Sequence, residues 1–386
     1  MYHEASQDIL HGHSPFNTTG YLYPPFFAFL LTPLGMLDLG TARFIWFILS
    51  QGFLVTAAWI LWRALGRDWL AACVIGFVWA FGTAAFETLF MGQVGCFLTL
   101  LLTLAYTRSA PLDGTLRGAS LGIGAAIKIF PAVVAAPLLM ARQWRALAAA
   151  AISSVLLIVV PWTAVIARFP GPIKPQSASF TTGTPAMLVW SVPATVLRIL
   201  DPAKAGKNIP DSWENGWDLP RLHLPTRNRV LAVAASGATF LIGMAVFAVV
   251  LGGRLESDDL PLAMAGFTAL TLAATPLAWT HYQVMQYPGV AMLLCGAIRM
   301  RRWFMVVATL LCGAMLNPLP VALLTRYYNQ RGGSWSPADP FMLYFWTSTA
   351  PAASLVLFGL CIYSIRTLLA TDNRGKNRSV PAMYSR

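Results

Sequence analysis

The sequence predicts an all-α polytopic membrane protein, and three observations predict it. Charged residues make up only 11% of the 386 residues, against about 25% in a soluble globular chain. The hydrophobic set reaches 57% and the mean hydropathy is +0.61. Finally, the apolar residues fall into long runs separated by short basic turns. So few charges cannot cover a water-facing surface, and a disordered chain would need the opposite composition. One span takes about 20 apolar residues, so this content suffices for about ten or eleven membrane-embedded helices.

The runs occupy residues 24–37, 41–62, 69–90, 93–107, 118–141, 145–167, 229–251, 260–279, 281–298, 303–325 and 341–369. Several are too short to cross alone. Others are interrupted by Pro33, by Pro131 and Pro137, or by Pro276. Broken helices at membrane depth are tolerated where they line a protein-buried or wet cavity, so these breaks point to a site. Residues 24–37 are expected to dip into the membrane and return. Residues 118–129 and 131–141 are expected to form two short helices that meet at Pro131. Within the long hydrophilic segment, residues 187–200 are expected to lie along the interface after a break at Pro193, with Trp190 and Arg198 at the lipid headgroups.

Arginines at 63 and 67, 108 and 117, 142 and 145, and 299, 301 and 302 flank one set of turns. Placing these in the cytoplasm satisfies the positive-inside rule. The expected organisation is one transmembrane domain, residues 1–369, with an outer N-terminal segment 1–23 and a large outer loop 168–228. A basic cytoplasmic tail, 370–386, follows. The loop 168–228 holds nine prolines, and a loop of that length in a compact protein is functional or disordered.

The net charge of +12 belongs to the turns and tail, so it indicates a lipid bilayer partner and no nucleic acid. The five cysteines lie in apolar runs without C-x-x-C spacing and read as packing residues. No metal-ligand spacing and no phosphate-cradling glycine loop is present. No metal site and no cofactor is expected.

Against this background a few polar residues stand out. Lys128 has no charged residue within ten positions on either side. A charge in an apolar span is a functional-site candidate by default; the alternative is a lysine that snorkels to the interface. The functional reading is a cation that meets an anion, most simply a phosphate. Gly122 and Gly124 precede it and would admit a close neighbour. His281, in Thr275-Pro-Leu-Ala-Trp-Thr-His-Tyr282, follows a helix break on the same outer side and suits an anionic group or proton transfer. Gln93 in Met91-Gly-Gln-Val94 is either a helix-start hydrogen-bonding residue or a sugar-hydroxyl ligand. Tyr23 precedes the Pro24-Pro25 pair that fixes an extended entry into the next helix. Glu87 is the one carboxylate deep in an apolar run.

These blocks, in this order, resemble glycosyltransferase family 87, the polyprenol-phosphate-mannose-dependent α-mannosyltransferases of the GT-C class. The resemblance runs from Tyr2-His-Glu-Ala-Ser-Gln-Asp-Ile-Leu-His-Gly12 and Tyr23-Pro-Pro25 through Gly92-Gln-Val94 and the Gly-x-Gly-x-x-x-Lys-x-x-Pro run ending at Pro131, to Pro276-x-x-Trp-x-His281. It implies a GT-C-like fold and a membrane hexosyltransferase of a bacterial inner membrane, acting on the outer face. The donor is then a polyprenyl-phosphate sugar with mannose as the hexose, and the acceptor a hydroxyl of a glycolipid or glycan. Lys128 and His281 would then stabilise the phosphate as charge develops on it, His281 as a catalytic residue; Gln93, Tyr23, Trp279 and Arg198 are the further candidate donor-binding residues. The family pattern sets a first span and a catalytic aspartate ahead of the position matching Tyr2. The expectation is therefore that the sequence begins at an internal methionine, with that span and the aspartate upstream of residue 1; otherwise Glu4 or Asp8 substitutes as the catalytic carboxylate, or the chain is an inactive truncated member. A secondary transporter or lipid flippase for an anionic substrate is the rival. It predicts inverted repeats, and no convincing repeat is found.

Overall fold

A computed structural model of the chain describes residues 1–18, 21, 23–107, 113–169, 189–200, 225–251, 255–256, 258–276, 278–319 and 339–374. Among the described residues all regular structure is helical, apart from one isolated β-bridge between Val189 and Trp279. The helices that frame the site are α1 (Tyr2–Leu10), α2 (Pro25–Leu30), α3 (Thr32–Gly35), α4 (Leu39–Ala64), α5 (Trp69–Phe81), α6 (Thr83–Phe90), α7 (Gly95–Tyr106) and α8 (Asp113–Ile127). Next come α9 (Phe130–Val134), α10 (Ala136–Met140), α11 (Trp144–Arg168), α12 (Val192–Leu200) and α13 (Thr226–Leu251). The last are α14 (Leu260–Ala274), α15 (Tyr287–Arg299), α16 (Trp303–Met315) and α17 (Asp339–Arg374).

Among the described residues, four helices are long and apolar enough to cross a membrane: α4, α11, α13 and Thr347–Thr367 within α17. The bent pair α5–α6 makes a fifth, and shorter apolar helices fill in around them. The protein is an all-α polytopic membrane protein. The long helices α11 and α13 bury little of their surface in the protein and expose Val155, Val160, Leu241 and Val249. In water such a surface would aggregate; in hydrocarbon it is solvated. By contrast, every residue of α14 is buried. A helix that is apolar all round belongs in the centre of the bundle, and α14 packs there against α17, α13 and α15.

Local chemistry sets the helix ends. Asp38 and Asp68 cap α4 and α5, each carboxylate accepting the amide of the residue three positions on, Thr41 at 3.0 Å and Ala71 at 2.8 Å. Arg299 at the end of α15 reaches the same turn and pairs with Asp68 at 2.7 Å. Gly122 lies where α8 crosses α11, and a side chain there would collide with Ser153 and the Ala150 carbonyl. The close approach expected of Gly122 is therefore to a partner helix.

The expected break at Pro131 is present: α8 ends at Ile127 and α9 starts at Phe130. Residues 24–37 form two short helices, α2 and α3, rather than one span. The run 69–90 forms two helices bent by 54° at Gly82. One expectation is corrected. Trp190 and Arg198 are not at an interface, since both are only 1% exposed. Their burial follows from non-local contacts. The Trp190 amide donates to the Ala278 carbonyl at 2.6 Å, and Arg198 donates to the carbonyls of Val189 at 2.8 Å and Thr347 at 3.1 Å. The rest of the 168–228 loop, most of the loop 326–340 and the end of the basic tail lie outside the described residues.

Candidate active site

Chain direction gathers the candidate residues at one end of the bundle. Helix α4 leaves that end, α5–α6 return to it, α7 leaves and α8 returns. The 3-10 helix Thr280–Gln286 then joins α14 to α15 at the same end, while Arg299 sits at the opposite end against Leu65 and Asp68.

The site is built from the N-terminal segment inward. Tyr2, the first residue of α1, donates to Gln93 Oε1 at 2.6 Å, and its hydroxyl lies 2.7 Å from that of Tyr23. Tyr23 also reaches Gln93 Oε1, at 3.3 Å. Burial pushes both phenols well above their ordinary range, so they stay protonated and can donate. Gln93 is held there by the turn between α6 and α7. Gly92 adopts φ +62°, which glycine accepts without a steric penalty. The Gly92 carbonyl accepts the Trp46 indole N–H at 2.9 Å, which fixes the turn to α4. Phe27 of α2 closes the floor, edge-on to Tyr2 with ring centroids 5.1 Å apart.

Lys128 enters from the α8–α9 break. Its Nζ lies 3.4 Å from the centroid of the Tyr282 ring and 5.1 Å from that of Tyr23. The ammonium is buried and has no hydrogen-bond partner among the described residues. It is turned into the protein, onto the Tyr282 ring. Two aromatic faces supply about 2 kcal/mol when desolvated, less than the several kcal/mol needed to bury an ion. The surroundings of Lys128 are therefore suited to a second, negative charge.

His281 stands next to this box. Its ring packs edge-on to Tyr282 at 4.6 Å and lies parallel to Trp279 at 6.4 Å. Both ring nitrogens are buried without a hydrogen-bond partner among the described residues. Trp279 is in turn backed by Val189 through the β-bridge, and Val189 by Arg198.

Tyr23, Gln93, Lys128, Trp279 and His281 are thus brought together. Arg198 is not at the box but behind Trp279, where it braces the strand-like contact. Glu4 and Asp8 are not brought in. The Glu4 side chain is 64% exposed, and Asp8 accepts the Thr18 hydroxyl at 2.7 Å. Asp8 lies six residues along α1 from Tyr2, about 9 Å at the helical rise. The residues not marked in advance are Tyr2 and Tyr282, whose rings complete the box. Tyr2 opens the first block of the family resemblance and Tyr282 follows His281, which are the signals that could have found them.

A family model describes the first half of the chain. Residues 21–204 match glycosyltransferase family 87. The matched stretch contains Tyr23, Gln93, Lys128 and Arg198, and stops short of Trp279 and His281. The chain is 27% identical over 309 residues to a polyprenol-phosphate-mannose-dependent alpha-(1-2)-phosphatidylinositol pentamannoside mannosyltransferase of Mycolicibacterium smegmatis, covering 75% of this chain and 66% of that protein. It is 24% identical over 377 residues to a polyprenol-phosphate-mannose-dependent alpha-(1-2)-phosphatidylinositol mannoside mannosyltransferase of Mycobacterium tuberculosis, covering 92% of this chain and 80% of that protein. An alpha-(1->3)-arabinofuranosyltransferase of the same species is 30% identical over 190 residues, 47% of this chain and 41% of that protein. Family and relatives together support a membrane glycosyltransferase.

Proposed function

We propose that the chain transfers a hexose, mannose, from a polyprenyl-phosphate sugar to a hydroxyl of a glycolipid or glycan on the outer face of a bacterial inner membrane. The observation that carries this reading is the buried Lys128 ammonium, seated against Tyr282 and Tyr23 with no hydrogen-bond partner among the described residues. A polyprenyl-phosphate sugar offers one phosphate charge beside a lipid chain, and a cation at the broken end of a membrane helix matches that pairing. The names of two relatives carry the same donor class.

In such a transfer the acceptor oxygen displaces the lipid phosphate at the anomeric carbon. Negative charge grows on the departing phosphate oxygen. A preorganised ammonium aimed at that oxygen lowers the barrier without reorganising at the moment of reaction. His281, beside the same box, supplies a hydrogen bond or a proton to that phosphate. Tyr2, Tyr23 and Gln93 offer hydroxyl and amide groups of the kind that bind sugar hydroxyls. Trp279 gives a flat apolar face for the sugar ring, and Arg198 fixes that face from behind. Glu4 and Asp8 remain the carboxylates of the N-terminal segment proposed to take the acceptor proton, which requires α1 to move toward Lys128. The loops 168–228 and 326–340 are proposed to choose the acceptor.

The test uses the protein in membranes, with polyprenyl-phosphate mannose labelled in the sugar and a phosphatidylinositol mannoside acceptor. The proposal expects labelled acceptor from the lipid-linked donor and none from a nucleotide sugar alone. Label transferred from the nucleotide sugar in the absence of polyprenyl phosphate would overturn it.

A further inference from the structure

One carboxylate takes no part in the box yet lies against it. Glu87 sits on α6, the short helix bent away from α5 at Gly82. At the bend Gly82 leaves the helical conformation, with φ −80° and ψ 92°. The Tyr287 hydroxyl occupies the space that a side chain at residue 82 would fill, so glycine is the residue that fits there, and the same hydroxyl accepts the Ala85 amide at 3.2 Å. Beyond the bend α6 docks onto the 280–287 segment. Two more bonds complete the dock. The Thr280 hydroxyl donates to Glu87 Oε1 at 2.5 Å, and the Thr88 hydroxyl lies 2.9 Å from the His281 carbonyl. Thus the residue before His281 is held by its side chain, and His281 itself by its backbone, both from one turn of α6. Glu87 Oε2 is buried with no hydrogen-bond partner among the described residues.

We infer that Glu87 is a positioning residue for His281: through Thr280 it fixes the backbone that aims the imidazole at the phosphate site beside Lys128. The inference rests on the glycosyl-transfer reading for the meaning of that site, but not for the geometry. Burying a carboxylate is costly unless it is hydrogen-bonded, and the bond it receives here comes from Thr280. What Glu87 holds is the one segment that carries both Tyr282, against the Lys128 ammonium, and His281.

Glu87→Gln keeps an oxygen that can accept from Thr280, whereas Glu87→Ala removes it. Thr280→Val removes the same bond from the other side. In protein labelled with 15N-histidine, assigned by loss of the His281 signal in His281→Ala, the imidazole resonances of His281 should move in Glu87→Ala and in Thr280→Val. They should stay in place in Glu87→Gln. In the transfer assay Glu87→Ala should lose about ten-fold in kcat, the loss of one buried hydrogen bond expressed as a rate, with the donor KM unchanged. The double variant Glu87→Ala/Thr280→Val should lose no more than either single one, because both remove one bond. An unmoved His281 signal in Glu87→Ala, or Glu87→Gln as impaired as Glu87→Ala, would overturn the inference. Absence of transfer by the unaltered protein would count against the glycosyl-transfer reading instead, and the resonance measurement would still decide the role of Glu87.

Discussion

Lys128→Met separates a functional lysine from a structural one. Methionine keeps the length and apolar stem of the side chain and deletes the charge. In the site the ammonium lies 3.4 Å from the Tyr282 ring centroid and has no hydrogen-bond partner among the described residues. Removing it forfeits about 2 kcal/mol of cation–π attraction at most, while relieving a desolvation penalty of several kcal/mol. The thermal midpoint in detergent should therefore hold or rise. Donor use should move the other way. Leaving a buried phosphate without its counter-charge costs about 3–5 kcal/mol, and each 1.36 kcal/mol is ten-fold in rate. On that basis kcat/KM should fall by roughly two to nearly four orders of magnitude. Lys128→Arg keeps the charge but not the shape, and should recover part of the loss. The assay is sugar transfer in membranes, paired with thermal unfolding of the purified variants. Unchanged transfer in Lys128→Met, or a midpoint that drops in step with activity, would refute the reasoning.

Two other predictions concern the frame. The hydrogen bond from the Ala71 amide is the first cause that holds the Asp68 carboxyl below its ordinary range; desolvation opposes it, and Arg299 adds to the lowering. A depressed carboxylate contributes stability that is present above its unfolded value, near 4, and is lost as pH falls below it. Thermal midpoints of the unaltered protein should therefore sag below about pH 4 more steeply than those of Asp68→Asn, which still caps α5. The exposed setting limits the difference to under about 1 kcal/mol; parallel pH curves would contradict it. For the orientation, Met300→Cys in a background with the native cysteines replaced should react with a membrane-impermeant thiol reagent only after the cells are opened. Labelling in intact cells would place the Arg299–Arg302 turn outside and reverse the proposed topology.

Part of this protein was legible in its sequence because the bilayer imposes strong rules. Charge scarcity and basic turns fix the class, and Lys128 stood out because so little around it is ionised. Pro131 ends α8 as its missing N–H demands. What escaped were features made by non-local contact. Gly82 reads as an interior residue of an apolar run, and the Tyr287 side chain that packs into the space beside it lies two hundred positions on. Trp190 and Arg198 have the spacing of an interfacial helix, yet the Val189–Trp279 bridge and the Thr347 carbonyl draw them inside. Tyr2 and Tyr282 carry no mark of their own, since an aromatic box exists only once three distant segments meet. The glycosyltransferase family match reaches Tyr23, Gln93 and Lys128 but not the His281 half of the site; the sequence set both halves on one side of the membrane, and the fold adds the Tyr282 ring that lies against Lys128.

The central claim is that the Lys128 box holds the phosphate of a lipid-linked sugar. The most direct measurement is an experimental structure of the protein in a lipid nanodisc with a non-hydrolysable polyprenyl-phosphate sugar bound. The account predicts a phosphate oxygen within about 3 Å of Lys128 Nζ, the distance of a charge-assisted hydrogen bond, with the sugar toward Gln93 and Trp279. A phosphate bound at another end of the bundle, with Lys128 still turned onto Tyr282 alone, would contradict it.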